Sequence, residues 1–516
     1  MNYKNKKVYL YCLFIFLIGI LTTFSLPPYN YWFINFFTFS SLFVILVRNF
    51  DRNYKIFFLY GYLFGFGYFL FSLYWIPLSL SYDDNFSFLI PFAIIIIPLF
   101  LSIFYGFAFA IFKIFYNSKN LFSNILIFSL ILSFIEFLRG SIPNGFPWNL
   151  FAYSLSENIY LIQINSLIGI YSFNMVLITI FSAPSILYLN RERKNLIGFS
   201  AIFVVFVSFF IFGFLKVKSY NNLEEKTLSS SLKILSTNIP IERFYSDTGN
   251  EEIITKLIKL SNPNPIENTI FIWPEGVLPN MNLTELKNNY NYFFEKSFTD
   301  NHFIVLGAND ENILNGKIQY YNSLAIIDNK INILHKYYKN KLVPFGEFLP
   351  LENLLSKLGL KNLTNNYQSY SASNERKLFT FKENNEIKIL PLICYEIIYS
   401  GNISKDNDYN FIINISEDGW FGNSIGPYQH FVHTIFRSIE YGRYTLRSAN
   451  NGISAIINPI GLAKDKININ NEGSITLNQI KLVDKTPFSK YGNKIYFLII
   501  LLYIFLIFSF TKLKNE

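Results

Sequence analysis

The chain has 516 residues, 51% of them hydrophobic and 19% aromatic, with a formal net charge of +9 at pH 7. That apolar content is too high for one large soluble enzyme, so part of the chain belongs in lipid. Much of the positive charge sits in short loops between apolar runs, and no basic aromatic stripe accompanies it, so no nucleic-acid partner is expected.

Residues 1–216 are a succession of long Phe, Ile and Leu runs. A bilayer core of ~30 Å takes about 20 helical residues. On that measure seven spans are predicted, near 7–26, 31–47, 56–80, 87–112, 121–138, 162–189 and 196–215. Runs of this length satisfy their backbone as helices, not as barrel strands. The first run reaches Leu26-Pro27-Pro28 without a small-x-small cleavage site, so it reads as an uncleaved anchor. Lys4, Lys6 and Lys7 precede it; Arg48, Arg52 and Lys55 follow the second span, Lys113 and Lys119 the fourth, and Arg191, Arg193 and Lys194 the sixth. The alternate loops carry Asp83, Asp84 and, as a short-loop cation, Arg139. With Lys512 and Lys514 after the last apolar run, the positive-inside rule puts both termini in the cytoplasm and the region after the seventh span outside.

Residues 217–492 read as a soluble α/β domain, and residues 493–516 as an eighth span and a cytoplasmic tail. Strands are predicted at Leu232–Leu235, Thr269–Trp273, Phe303–Leu306, Ser323–Ile327, Ile387–Ile393, Asn410–Ile415 and Ile453–Ile457. Helices are predicted at Glu251–Leu260, Leu283–Ser297 and Gln429–Leu446. Of the two cysteines, Cys12 falls in an apolar run, where packing is the simplest role, and Cys394 is the lone thiol of the soluble domain. His430 and His433 have no cysteine nearby, and a metal site is not expected.

Three ionisable residues stand at or just beyond strand-like segments. Glu275 follows Phe271-Ile272-Trp273-Pro274, Lys339 precedes Leu342-Val343-Pro344-Phe345-Gly346-Glu347, and Cys394 follows Leu390-Pro391-Leu392-Ile393. Strand C-terminal ends converge on the ligand crevice of an α/β domain, so distant positions can meet there. A carboxylate can take a thiol proton, the thiolate can attack a carbonyl, and an ammonium can stabilise the oxyanion.

Trp273-Pro274-Glu275, Lys339 with Pro344-Phe345-Gly346-Glu347, and Ile393-Cys394-Tyr395-Glu396 resemble the signature blocks of the nitrilase superfamily. The Pro-Phe-Gly-Glu form, Trp420-Phe421-Gly422 and Arg447-Ser448-Ala449-Asn450-Asn451-Gly452 resemble one membrane-embedded branch, the apolipoprotein N-acyltransferases. The resemblance covers nearly the whole chain. It implies a polytopic helical membrane protein of the bacterial inner membrane, carrying a periplasmic nitrilase-like αββα domain inserted before the last span. It also implies an enzyme that moves a fatty acyl chain from a membrane phospholipid, through a Cys thioester, to the α-amine of a diacylglyceryl-cysteine lipoprotein. Carried over by position, Cys394 becomes the nucleophile, Glu275 the general base and Lys339 the oxyanion-stabilising cation; no metal or organic cofactor is required. Glu347, Tyr395 and Glu396 fall on positions needed for function, and the Tyr395 N–H is a candidate second oxyanion donor. Trp420 falls in the substrate region, and Arg139 and Trp148 lie in blocks like the family's loop between the fifth and sixth spans.

Two stretches depart from the family pattern. Asn238-Ile239-Pro240-Ile241 leads to Tyr245 where the family has Asn-Ile-Pro-Gln leading to Trp, and Ser416-Glu417-Asp418-Gly419 stands where Asn-Asp with a small residue is usual. Within the membrane half, Arg139 could meet a phospholipid head group or snorkel, and Trp148 could serve a site or an aromatic belt. Two other readings stay open. Water in place of the amine would make a membrane-anchored amidase. A transporter with an accessory domain would need more intramembrane ionisable groups than Glu136.

Overall fold

The computed structural model describes residues 3–512 except 119, 143–144, 246–248, 315, 351, 356, 358–368, 382–386, 402 and 404–407. Lys119 and Lys514, used in the charge pattern, lie outside the described residues, as do the side chains of Lys4, Lys6, Lys7 and Lys512. The chain divides into two compact units. One comprises Met1–Ser219, Asn423–Val432 and Thr486–Glu516, the other Tyr220–Gly422 and His433–Lys485.

The first unit is helical: α1 Tyr3–Thr23, α2 Ile34–Arg48, α3 Tyr54–Ser72, α4 Ile90–Phe115, α5 Leu121–Ser141, α6 Asn165–Ser182, α7 Ser185–Leu189, α8 Arg193–Asn221, α13 Pro487–Tyr491 and α14 Lys494–Lys512. Asn53 and Asn120 start α3 and α5, each side chain accepting an N–H of the first turn. Gly19 and Gly67 let α1 and α3 approach, since a Cβ on either would come within 2.3 Å of a facing carbonyl oxygen. Along α4, Phe92, Ile96, Phe100 and Phe107 are exposed, as a lipid-facing stripe should be.

Among the described residues, six helical segments are long and apolar enough to cross a membrane: Tyr54–Ser72, Ser87–Phe115, Leu121–Ser141, Leu161–Leu189, Arg193–Asn221 and Lys494–Thr511. The chain is a multi-pass membrane protein. The first two predicted spans coincide with the shorter apolar helices Val8–Thr23 and Ile34–Arg48. The third was expected to reach residue 80, but α3 stops at Ser72 and a 3-10 helix, Ile76–Tyr82, follows. Pro77 accounts for the break: it offers no N–H, and its ring would meet the carbonyl four residues back.

Among the described residues, the second unit holds twelve strands: β1 Lys226–Ser236, β2 Thr269–Ile272, β3 His302–Leu314, β4 Lys317–Ile327, β5 Ile333–Tyr338, β6 Phe379–Thr380, β7 Lys388–Ile393, β8 Phe411–Glu417, β9 Tyr444–Asn450, β10 Ser454–Ile457, β11 Ala463–Ile467 and β12 Gly473–Ile480. They form two six-stranded sheets, β12-β1-β2-β3-β4-β5 and β11-β10-β9-β8-β7-β6, with β1-β2-β3 and β7-β8-β9 parallel. Ile234, Ile272, Val305 and Ile326 of one sheet meet Ile389, Ile393, Ile413 and Leu446 of the other in a shared core. Helices α9 Asn250–Ser261 and α10 Leu283–Ser297 cover the outer face of the first sheet through Ile254, Leu257, Leu286 and Phe294. Over the second sheet, Ser438 of helix α12 Gly426–Tyr441 donates to Thr445 of β9 at 2.7 Å. The layers are therefore αββα.

The helix expected over Gln429–Leu446 is corrected here. It ends at Tyr441, Gly442 takes a φ of +62°, and Tyr444 opens β9 between β8 and β10. Apolar spacing suited a continued helix, but a left-handed glycine turns the chain into a waiting slot in the sheet.

Candidate active site

Strand β7 is buried, and its last residue is followed at once by Cys394, which holds a φ of +49°. A left-handed non-glycine residue costs roughly 1–3 kcal/mol, and the surrounding bonds must hold it there. Ile393 N donates to Glu396 Oε2 at 2.8 Å, and Asn414 Nδ2 donates to Cys394 O at 3.3 Å. Ser416 Oγ lies 3.4 Å from the Cys394 Sγ and 2.7 Å from Asp418 Oδ1.

Glu275 follows β2. Its Oε1 accepts from Asn322 Nδ2 at 2.8 Å, and its Oε2 from the backbone N–H of Glu417 at 3.0 Å. Lys339 follows β5, where its own N–H donates to Asn322 O at 2.9 Å and so extends the ladder with β4 by one step. The Lys339 Nζ lies 2.9 Å from Glu347 Oε1 and 3.6 Å from Glu275 Oε1. Glu347 also accepts from Asn322 Nδ2 and from Val343 N, each at 2.8 Å, so it both anchors its loop and faces the ammonium.

Burial disfavours the Lys339 ammonium, yet the carboxylates of Glu347 and Glu275 overcome that and hold its pKa well above the usual lysine range. Burial pushes the Cys394 thiol far up, and the charges of Glu275 and Asp418 add to the effect while Lys339 opposes it. At rest, then, the site holds a neutral thiol and a charged ammonium. A thiolate can form when a carboxylate takes its proton as the new bond is made.

A cleft of about 70 Å³ opens beside these groups, lined by Glu275, Asn322, Glu347, Tyr370, Phe244 and Trp420 among others. The Phe244 and Trp420 rings lie 5.0 Å apart, and half-exposed Tyr245 meets Trp420 edge-on at 6.5 Å. Glu417 also lines it. Burial lifts the Glu417 carboxyl to about 7, against the pull of Arg243, Asn450 and the Gly419 N–H.

Glu396 is fully buried and accepts from Tyr337 Oη at 2.6 Å, Asn340 N at 2.9 Å, Lys341 N at 3.2 Å and Arg376 Nη2 at 2.7 Å. It therefore braces the segments that carry Lys339 and Cys394. Tyr395 is buried beside Tyr399, with ring centres 5.6 Å apart. Behind them, Arg447 Nη2 donates to both oxygens of buried Asp418 at 2.7 and 2.9 Å. Asn322, Tyr370, Arg376 and Arg243 take part in this site without any mark in the sequence beyond ordinary polar residues, and Ser416 is marked only by its place in the block before Trp420. Among the described residues, no group of three or more His, Cys, Asp or Glu side chains could hold a metal ion.

Arg139 and Trp148 belong to the helical unit. Arg139 is buried and paired with Glu136, which also accepts from Tyr105, and its guanidinium donates to Phe146 O. It is neither snorkelled nor open to a head group. Trp148 is likewise no belt residue: it is buried, stacks on Phe146 and His430, and donates its indole N–H to Gln429 Oε1 at 2.8 Å.

Residues 18–183 match the family model of the apolipoprotein N-acyltransferase N-terminal domain, and residues 295–484 that of carbon-nitrogen hydrolases. Apolipoprotein N-acyltransferase of Rickettsia typhi is 32% identical over 502 residues, covering 95% of each chain. That of Rhodopseudomonas palustris is 30% identical, covering 92% of this chain and 91% of its own. The crystal structure of Nit3 of Saccharomyces cerevisiae, a nitrilase-superfamily member, overlays 49% of this chain and 90% of its own, with a TM-score of 0.35 and 12% identity.

Proposed function

The chain belongs to the apolipoprotein N-acyltransferase family, and from that premise we propose how its residues carry out acyl transfer to lipoproteins. The donor is a membrane phospholipid and the acceptor the free α-amine of a diacylglyceryl-cysteine lipoprotein. Cys394 is the nucleophile, Glu275 the general base and Lys339 the oxyanion-stabilising cation. The observation that carries this reading is the placement of Lys339 Nζ within 3.6 Å of Glu275 Oε1, with both charges acting on the buried Cys394 thiol. The catalytic unit lies outside the cytoplasmic membrane, in the periplasm, as the loop charges require.

Glu275 takes the thiol proton while Sγ attacks the ester carbonyl. The oxyanion that forms is met by the Lys339 ammonium and the Tyr395 N–H, a water-poor setting in which each donor counts for more than it would in solution. Collapse expels the lysophospholipid alkoxide, which takes the proton from Glu275 and leaves an S-acyl cysteine. The lipoprotein amine then attacks the thioester and passes its proton to Glu275, and the departing thiolate recovers it. An amine attacks a thioester far more readily than an oxygen ester, which is the reason for a two-step route. Both substrates are lipids, and a membrane-held enzyme spares the cost of extracting their chains, ~0.8 kcal/mol per CH₂. Glu347 holds Lys339, Glu396 holds the loops on either side, and Trp420 with Tyr245 meets substrate along the cleft wall. The amidase alternative is disfavoured by family membership.

Intact mass spectrometry tests the reading. Enzyme incubated with phospholipid should gain one acyl mass on the Cys394 peptide, removable by neutral hydroxylamine, and Cys394→Ser should gain none. A diacylated lipopeptide with a free amine should discharge the acyl group, and an N-acetylated one should not. Turnover to free fatty acid at one rate with and without the lipopeptide would make the enzyme a hydrolase.

A further inference from the structure

Arg243 and Glu417 are both buried, form an ion pair with each other, and stand outside the reacting set. Arg243 lies in the short 3-10 helix Ile241–Phe244. Its Nη2 donates to Glu417 Oε2, its Nε to Gly276 O at 3.0 Å, and its Nη1 to Pro240 O at 2.7 Å and Ile239 O at 3.2 Å. One planar guanidinium thus ties together the loop after β1, the turn just past Glu275 and the end of β8. A compact ammonium could not span all three.

Glu417 is equally engaged. Its Oε1 accepts from Gly419 N at 2.9 Å, its Oε2 from Asn450 Nδ2 at 2.8 Å as well as from Arg243, and its backbone N–H donates to Glu275 Oε2. Glu275 is therefore held from two sides by the same pair: through the carbonyl of the next residue, and through a carboxylate oxygen. The residues that follow Arg243 are Phe244 and Tyr245, which rest against Trp420 in the wall of the cleft. The guanidinium carbon sits 4.8 Å from the centre of the Phe244 ring.

A neutral amide in place of Glu417 could cap Gly419, but it could not engage a buried guanidinium by charge.

We infer that the Arg243–Glu417 pair is a positioning device: it aims the Glu275 carboxylate at the thiol and holds Phe244 and Tyr245 against Trp420 as an aromatic wall of the acyl-transfer cleft. The inference rests on the reading of Glu275 as general base. A loosened pair has two consequences. Proton transfer slows because the base swings away, and the thioester leaks to water because the aromatic wall loosens.

The test uses the full chain in vesicles of phosphatidylethanolamine and phosphatidylglycerol, with Arg243→Leu, Glu417→Asn and the double variant. Each single variant should acylate about 10–100-fold more slowly. Each should also release a larger share of its acyl group as free fatty acid and shift the pH profile of Cys394 alkylation by iodoacetamide, which a merely structural role would leave unmoved. Partners that act as one should not multiply their losses, so the double variant should be no slower than the slower single one. Where Arg243→Leu fails to fold, Arg243→Lys keeps the charge but gives up the fork, and it should acylate slowly at an unchanged unfolding midpoint. Single variants or Arg243→Lys acylating at the wild-type rate would overturn the device, as would losses that multiply in the double variant. A wild-type enzyme that takes no acyl group on Cys394 would instead sink the acyl-transfer reading, and the device with it.

Discussion

Glu396→Gln places an amide where both carboxylate oxygens accept hydrogen bonds. Four donors converge on Oε1, from Tyr337, Asn340, Lys341 and Arg376, and Ile393 N–H points at Oε2. Whichever way the amide turns, its NH₂ faces an N–H or O–H donor. One unsatisfied buried donor costs about 1–3 kcal/mol, and depriving buried Arg376 of its carboxylate costs about 3–5 kcal/mol. The two losses overlap, so about 3–5 kcal/mol in all is expected, within a typical stability of roughly 5–15 kcal/mol. The variant should fold with a reduced margin. Its acylation should fall about 10²-fold, because the brace sets the Lys339 loop and the Cys394 turn together and a shift near 1 Å suffices for that loss. Burial alone would raise the Glu396 carboxyl, but Arg376, the Ile393 N–H and Tyr337 outweigh it and hold it below the usual range. Its stabilising contribution is thus complete above the ordinary glutamate pKa of about 4.3 and disappears as pH falls through the lower folded value. Thermal unfolding of detergent-solubilised protein should show the gap between wild type and variant closing on the acid side, while mass spectrometry follows acylation at neutral pH. A variant that acylates like wild type, or a gap that stays constant into acid, would refute the brace.

Glu275→Gln should make Cys394 easier to alkylate at a given pH, since the Glu275 charge raises the thiol pKa, yet slow acyl-enzyme formation by about 10²–10⁴. Lys339→Ala should do the opposite to alkylation and cost about 10²–10³ in acylation; iodoacetamide kinetics that ran the other way in either variant would reassign the roles. Cysteines placed at Asn53 and Arg193 should label from the cytoplasm, and those at Asp84 and Asn301 from outside; a cytoplasmic Asn301 would remove the periplasmic site. Arg139→Leu should cost about 3–5 kcal/mol by stranding buried Glu136, visible as a lower yield and unfolding midpoint, and Arg139→Leu with Glu136→Leu should recover much of it. A single variant as stable as the double would show that the pair is not what holds Arg139 inside.

The apolar runs of residues 1–216 needed nothing but their own length to read as membrane helices, because lipid leaves the backbone few alternatives. Where α3 ends was also written locally, in Pro77, although hydropathy alone carried the expectation past it to residue 80. Buried parallel strands such as Leu390-Pro391-Leu392-Ile393 announce themselves by continuous apolar character. Strands β5, β9, β11 and β12 do not, since Arg447, Ser448 and Asn450 sit fully buried in β9 only because neighbouring segments supply their partners.

The candidate site divides the same way. Glu275 and Cys394 stand out in the sequence because each places a reactive group just beyond an apolar strand-like run, and Lys339 because of the Pro344-Phe345-Gly346-Glu347 block that follows it; all of these signals are local. Their adjacency is not local. It depends on β2, β5 and β7 ending at one edge of a two-sheet sandwich, with the Asn322 amide of β4 bridging Glu275 and Glu347. Which reactive groups the chain carries and which segments enter lipid can thus be read from the amino acids alone, since both follow from short-range chemistry. That Arg139 turns inward to Glu136, that Glu396 braces two loops, and that Arg243 finds Glu417, 174 residues away, emerges only from the fold. Each of those is a buried polar group, and such a group stays buried only where distant parts of the chain satisfy it.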